Sequence, residues 1–183
     1  MSGQYRTIVA DPPWHYEKFG GYSWREGRPS GKARPLPYPS MTVDAIAMLP
    51  VRDLAERDAH LYLWTTQRYL RDAYDVAAAW GFKPSCTLVW CKQPRGFSVG
   101  GTFQSTVEFI LFARRGTLAA NQRVPRQWFE WARGRHSQKP EAFQDMVEQV
   151  SPGPYLELFA RRPRLGWDVW GNEVESTIAL AAD

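Results

Sequence analysis

The apolar positions of this chain fall into short β-branched runs separated by stretches of helical period. Tyr5 to Ala10 is such a run, and it ends against two consecutive prolines, Pro12 and Pro13, which allow neither strand nor helix to continue. It predicts a buried strand followed by a stiff loop, Asp11-Pro12-Pro13-Trp14. Further strands are predicted at Ala59 to Thr65, Phe82 to Lys92, Val107 to Ala113, Tyr155 to Ala160 and Trp167 to Trp170. Between them lie an amphipathic helix from Gln67 to Trp80, with Gly81 as its stop, and a helix from Glu141 to Val150 that opens on Pro140 and is halted by Ser-Pro-Gly. Thr42 suits the cap of a short helix, Val43 to Leu49, ended by Pro50. Strands alternating with helices predict an α/β fold with a mainly parallel central sheet. Ligands of such sheets lie at the carboxyl ends of the strands, where Asp11, Thr65 and Arg161 fall.

Two stretches lack this periodicity. His15 to Pro39 is rich in Gly, Pro, Tyr and Arg; a loop this long that begins at the Asp-Pro-Pro-Trp turn reads as a lid, with Lys18, Arg25, Arg28, Lys32 and Arg34 facing phosphate, or as an insert of solvated charges. Between Arg114 and Lys139, seven cationic residues are interleaved with Trp128, Phe129 and Trp131. That pattern fits a phosphate backbone with unstacked bases, and equally a solvated strand face with tryptophans turned inward. Gly96 to Gly101 reads as a mobile stretch.

Composition narrows the class. With 183 residues, 44% apolar and 23% charged, the chain is expected to form a single domain, 1–183, with a full core. A net charge of +4 is compatible with a polyanionic partner, and the 26 aromatic residues include candidates for stacking surfaces beside a majority expected in the core. Cys86 and Cys91, both within one predicted strand, indicate neither a disulfide framework nor a thiolate metal site, and His15, His60 and His136 are too scattered for one. With no signal-peptide pattern and no membrane-length apolar run, the expectation is a cytoplasmic protein without a membrane partner.

Asp-Pro-Pro-Trp carries the candidate chemistry. Prolines lack an N–H, so the loop offers carbonyl acceptors on a fixed path, with the Asp11 carboxylate beside them and the flat face of Trp14 following. A planar donor such as the exocyclic amine of adenine matches this set. Its nitrogen lone pair is delocalised into the ring, and hydrogen bonds from both N–H groups to a carboxylate and a proline carbonyl would favour a tetrahedral nitrogen able to attack. The competing reading is a turn with a buried tryptophan.

Seven blocks taken together are more specific than that tetrapeptide. Asp11 to Trp14, Tyr38-Pro39-Ser40-Met41, Leu63-Trp64-Thr65-Thr66, Val89-Trp90-Cys91-Lys92, His136-Ser137-Gln138-Lys139-Pro140, Glu157-Leu158-Phe159-Ala160-Arg161 and Trp167 to Glu173 occur in the order found in the MT-A70 family, which the chain resembles over nearly its whole length. The resemblance implies a Rossmann-like methyltransferase fold with permuted motif order, S-adenosylmethionine as methyl donor, and adenine in nucleic acid as acceptor. DNA is favoured over RNA, because the compact form is similar to bacterial and phage members.

By the same resemblance, Asp11, Pro12, Pro13 and Trp14 form the catalytic loop, with Asp11 also reaching the cofactor's ammonium group. Lys139 faces the cofactor's carboxylate, Phe159 and Arg161 pack around its adenosine, Asn172 and Glu173 bind its ribose hydroxyls, and Tyr38 and Trp64 line the acceptor pocket. No metal is implied. The chain departs from eukaryotic members, which carry a further segment before the catalytic strand and a histidine and asparagine after the position of Arg161. Two alternatives stand beside the adenine N(6) methyltransferase: a non-catalytic nucleic-acid-binding or scaffold subunit of the same fold, and a methyltransferase for a small molecule or protein amide.

Overall fold

The computed structural model describes residues 4–16, 21–23, 28–30, 39–93, 103, 105–134 and 138–180. In chain order the elements are β1 (Tyr5–Ala10), β2 (Gly21–Ser23), β3 (Arg28–Ser30), α1 (Val43–Ala47), α2 (Val51–Leu54), β4 (Ala55–Thr65), a 3-10 turn (Gln67–Tyr69), α3 (Leu70–Ala79), β5 (Lys83–Gln93), β6 (Val107–Arg115), β7 (Trp128–Ala132), α4 (Glu141–Val150), β8 (Tyr155–Leu158) and β9 (Trp167–Trp170). Seven strands form one sheet in the order β7-β5-β6-β4-β1-β8-β9, and β2 and β3 pair as a separate hairpin. β1 runs parallel to β4 and β8, β8 to β9, and β5 to β7; only β6 is antiparallel to its neighbours β4 and β5. This is the α/β, Rossmann-like methyltransferase architecture expected from the sequence.

Alternation along the central strands sorts side chains between two layers. Ile8 and Ala10 of β1 and Leu61 and Leu63 of β4 join the core under α1 and α3, while Val9, Tyr62 and Trp64 join the core under α4 with Phe143 and Val147. Both faces are covered, so these strands read as continuous apolar runs. On α3 the buried positions Ala73, Val76 and Ala77 recur at helical spacing. Gly81, at φ 82°, closes that helix: its N–H donates to the Ala78 carbonyl and the Phe82 N–H to that of Ala77. Thr42 accepts the Ala45 N–H at the start of α1.

Several boundaries differ from the sequence reading. β4 begins four residues earlier than expected, at Ala55, because Tyr5 pairs with Ala55 and Arg115 donates to the carbonyls of Arg52 and Ala55. The helix expected from Gln67 opens as a 3-10 turn. The strand expected to reach Ala160 stops at Leu158, where Phe159 turns into the left-handed region at φ 62°. The basic, aromatic stretch after Arg114 contains an edge strand, β7, on which Phe129 is buried and Trp128 exposed. Tyr38, Lys18, Arg25, Lys32 and Arg34 of the proposed lid, and the 96–101 stretch, lie outside the described residues.

Candidate active site

Three parallel strands, β1, β4 and β8, end side by side, and the residues following them meet. Asp11 leaves β1 with its N–H on the Leu158 carbonyl. Its carboxylate Oδ2 lies 2.8 Å from Nζ of Lys139, which enters from the turn before α4. The same ammonium lies 3.2 Å from Oε2 of Glu108 on β6, whose other oxygen lies 2.6 Å from Nζ of Lys92 on β5. Asp11, Lys139, Glu108 and Lys92 thus form one ladder of alternating charge. Nζ of Lys139 also stands 4.9 Å over the ring of Trp64. Burial pushes the Lys139 pKa down, but the carboxylates of Asp11 and Glu108 outweigh it and hold the pKa above the ordinary lysine value. For Glu108 burial pushes upward, and Lys139 with Lys92 overcomes it, keeping the carboxyl below its usual range.

Around this ladder opens a cavity of about 290 Å³ to which Asp11, Trp64, Lys139, Phe159, Arg161 and Glu173 all contribute. A smaller cavity of about 100 Å³ adjoins it, sharing Asp11, Phe159, Arg161 and Glu173 and adding Pro13 and Asn172. Arg161 Nη1 lies 3.6 Å from Glu173 Oε1. Phe159 lines both cavities, its ring edge-on to Trp170. The backbone there is tight: the Ala160 N–H donates to the Trp170 carbonyl, and a Cβ on Gly171 would stand 2.3 Å from the Ala160 oxygen. Gly171 is therefore the residue type that lets Asn172 and Glu173 approach the end of β8.

The Asp-Pro-Pro-Trp loop is stiffened by its own bonds. The Trp14 N–H donates to the Pro12 carbonyl and the Met41 N–H to that of Pro13, so each carbonyl retains one further acceptor lone pair. Trp14 offers no open face: it is 4% exposed, stacks on Tyr69 with centroids 5.2 Å apart, and donates its indole N–H to the Trp64 carbonyl at 3.0 Å. It anchors the loop to the end of β4. Trp14 and Pro12 line neither cavity, whereas Trp64, expected beside the acceptor, lines the larger one beneath Lys139.

Sequence reasoning assigned no role to Glu108, Lys92, Glu157, Gln144 or Arg162. A lone acid inside an apolar strand was the available signal for Glu108 and Glu157. Glu157 Oε2 accepts from Gln144 Nε2 at 2.7 Å, and the Gln144 oxygen accepts from Arg162 at 3.1 Å. Burial, with the nearby Asp11 charge second, pushes the Glu157 carboxyl up to about 7, against the opposing pull of Arg162 and Arg164. A folded pKa above the unfolded value means that Glu157 contributes stability fully below about pH 4.5 and loses it as pH rises through about 7. Glu157→Gln is therefore expected to leave stability nearly unchanged at pH 4.5 and to raise it at pH 8 by up to about 3 kcal/mol. Urea unfolding at both pH values checks this, and an equal effect at both would refute it.

Among the described residues, no cluster of His, Cys, Asp and Glu could hold a metal ion, and no helix is long and apolar enough to cross a membrane. Comparison with known proteins gives a consistent match. The chain is 30% identical to the type II methyltransferase M.MunI of Mycoplasma sp., over 93% of this chain and 78% of that protein. It is 28% identical to a probable N(6)-adenosine-methyltransferase MT-A70-like protein of Oryza sativa subsp. japonica, over 94% of this chain and 23% of the relative. It is 25% identical to the N(6)-adenosine-methyltransferase catalytic subunit METTL3 of Homo sapiens, over 99% and 30%. The family model of MT-A70 matches residues 5–173, from the first strand to the last residue of the two adjoining cavities, and the chain belongs to this family of adenine methyltransferases.

Proposed function

We propose that the chain, as a single domain, transfers a methyl group from S-adenosylmethionine to the exocyclic amine of adenine in nucleic acid, with DNA favoured over RNA. The observation that carries this reading is the ion pair of Asp11 and Lys139 at the joined ends of β1, β4 and β8, beside a cavity lined by groups of both signs. The donor set fits the cofactor. Asp11 and Glu157 suit an ammonium group, Lys139, Gln144 and Arg162 a carboxylate, and Asn172 and Glu173 a ribose diol. When bound, the cofactor supplies an electrophilic methyl carbon on a cationic sulfur.

The protein's part is positioning and charge. Asp11 and a proline carbonyl of the loop, where Pro13 lines the smaller cavity, accept the two amine hydrogens and favour a tetrahedral nitrogen. Lys139 holds the Asp11 carboxylate in place through their ion pair. On accepting the methyl group in exchange for the cofactor's S–C bond, the amine nitrogen would carry a positive charge, and Asp11 or water would take one of its protons. The buried Trp14 and the bonded proline carbonyls keep the loop from yielding as charge develops.

DNA is favoured because the chain spans most of the bacterial type II methyltransferase but under a third of the rice and human N(6)-adenosine-methyltransferases. Incubation with matched DNA and RNA oligonucleotides and labelled cofactor, followed by nucleoside mass spectrometry, is expected to give N(6)-methyldeoxyadenosine in excess. Methyladenosine alone would reverse the order of substrates, and no methylated adenine in either would reject the function.

A further inference from the structure

Besides the cleft that the two adjoining cavities form together, a second cavity opens on the same face of the sheet, on the other flank of α4. It measures about 380 Å³ and lies between the segment preceding β7, β7 itself and α4. Its floor is the stacked pair Phe129 and Trp131, with centroids 4.4 Å apart. Its rim carries Arg123 and Arg126, both exposed, with Gln122 and Gln149. Among the described residues neither arginine has a carboxylate partner; Arg126 stands 5.9 Å over Phe129. The one acid in the lining, Asp145, already pairs with Arg164 at 2.7 Å. The rim is therefore cationic without a counter-charge of its own.

This cavity shares a wall with the active-site cleft. Trp131 packs edge-on against Phe143, Phe143 against Trp64, and Trp64 lies under Lys139. On α4, Phe143 and Gln144 line the cleft while Ala142 and Met146 line the second cavity. One helix separates them, a distance on the order of 10 Å. Along a duplex axis the phosphates of one strand rise by about 3.4 Å each, so a strand whose adenine enters the cleft brings a phosphate within about three nucleotides of it to the second cavity.

Resting on the proposed nucleic-acid reading, the geometry assigns Arg123 and Arg126 to a backbone phosphate of the strand that carries the target adenine, its sugar packing on the Phe129–Trp131 pair. Such a contact fixes the strand without reading its sequence, and adds to substrate binding rather than to the chemical step.

The test compares wild type with Arg123→Gln/Arg126→Gln on a long adenine-containing oligonucleotide and on one that ends a single nucleotide either side of the adenine. The variant is expected to raise KM about tenfold on the long substrate, to leave KM on the short one and kcat on both unchanged, and to lower the slope of log affinity against log salt by about 0.7–0.9 per phosphate lost. Arg123→Lys/Arg126→Lys is expected to restore the slope. Unchanged cofactor affinity by calorimetry certifies the fold, and the single variant Arg123→Gln, expected to show half the effect in free energy, serves if the double variant does not fold. An equal KM change on both lengths, or an unaltered slope, overturns the assignment while leaving the methyltransferase reading intact. A wild-type protein that methylates no oligonucleotide removes both.

Discussion

Asp11→Ala is expected to lower kcat/KM for adenine methylation by at least about a thousandfold while leaving the protein folded. In the proposed reaction the carboxylate does two things: it accepts a hydrogen of the amine and stabilises the charge that develops on nitrogen. Loss of one such preorganised group costs about a hundred- to a thousandfold, and loss of both roles costs more. The fold is expected to survive because Lys139 keeps a second partner: Glu108 remains 3.2 Å away, so no buried cation is left alone. Asp11→Asn separates the roles, since the amide still accepts a hydrogen bond but carries no charge. Its rate is expected to fall between wild type and Asp11→Ala. Single-turnover methyl transfer, with unfolding curves for each variant, is the measurement. Turnover within tenfold of wild type in Asp11→Ala would remove the loop from the reaction.

Lys139→Met is expected to destabilise the fold itself by about 3 kcal/mol at pH 7, besides abolishing transfer. Removing the ammonium leaves the Asp11 and Glu108 carboxylates facing a partly buried space, with only Lys92 still paired to Glu108. Breaking a buried pair by deleting one partner leaves an uncompensated charge, which is why the cost exceeds that of an exposed ion pair. The sign with pH follows from Glu108. Its native pKa lies below the unfolded value of 4.5, so its pairing contributes stability above that pH and loses it as pH falls through the native pKa. The deficit of Lys139→Met is therefore largest above about pH 4.5 and shrinks in acid. Adding Glu108→Gln to Lys139→Met is expected to return part of the stability and none of the activity. A deficit that is the same at pH 4 and pH 8 would show that Lys139 acts by packing on Trp64 rather than by charge.

Both expectations depend on residues of different legibility. Asp11 was readable because a β-branched run cut by two prolines can only be a strand followed by a rigid loop, and an acid there stands at the carboxyl end of the strand. Lys139 was placed by the resemblance of its block, and so was its role toward a carboxylate. The structure adds that its immediate neighbours are two acids of the protein itself. The partner Glu108 lies almost a hundred residues from Asp11 in the chain; no local pattern ties them, because β6 reaches the site only by inserting antiparallel between β4 and β5.

Trp14 shows the converse. Its neighbourhood in sequence suggested an aromatic face for a base or a buried anchor, two readings that local residues do not separate. The end of β4 and Tyr69 decide between them by covering its ring. β7 was hidden for a related reason. Its alternation of Trp128, Phe129, Glu130 and Trp131 puts large apolar groups on both sides, and only pairing with β5 tells which is buried.

The sequence by itself determined six of the seven strands of the central sheet, the two long helices, the α/β class, the strand-end position of Asp11 and the family, since each rests on periodicity, on proline and glycine stops, or on ordered blocks of neighbouring residues. Tertiary structure alone decided the charge ladder from Asp11 to Lys92, the raised carboxyl of Glu157 and the cationic cavity beyond α4. Charges and burial act through space, over a few ångströms, between groups that the chain brings together only when the sheet closes.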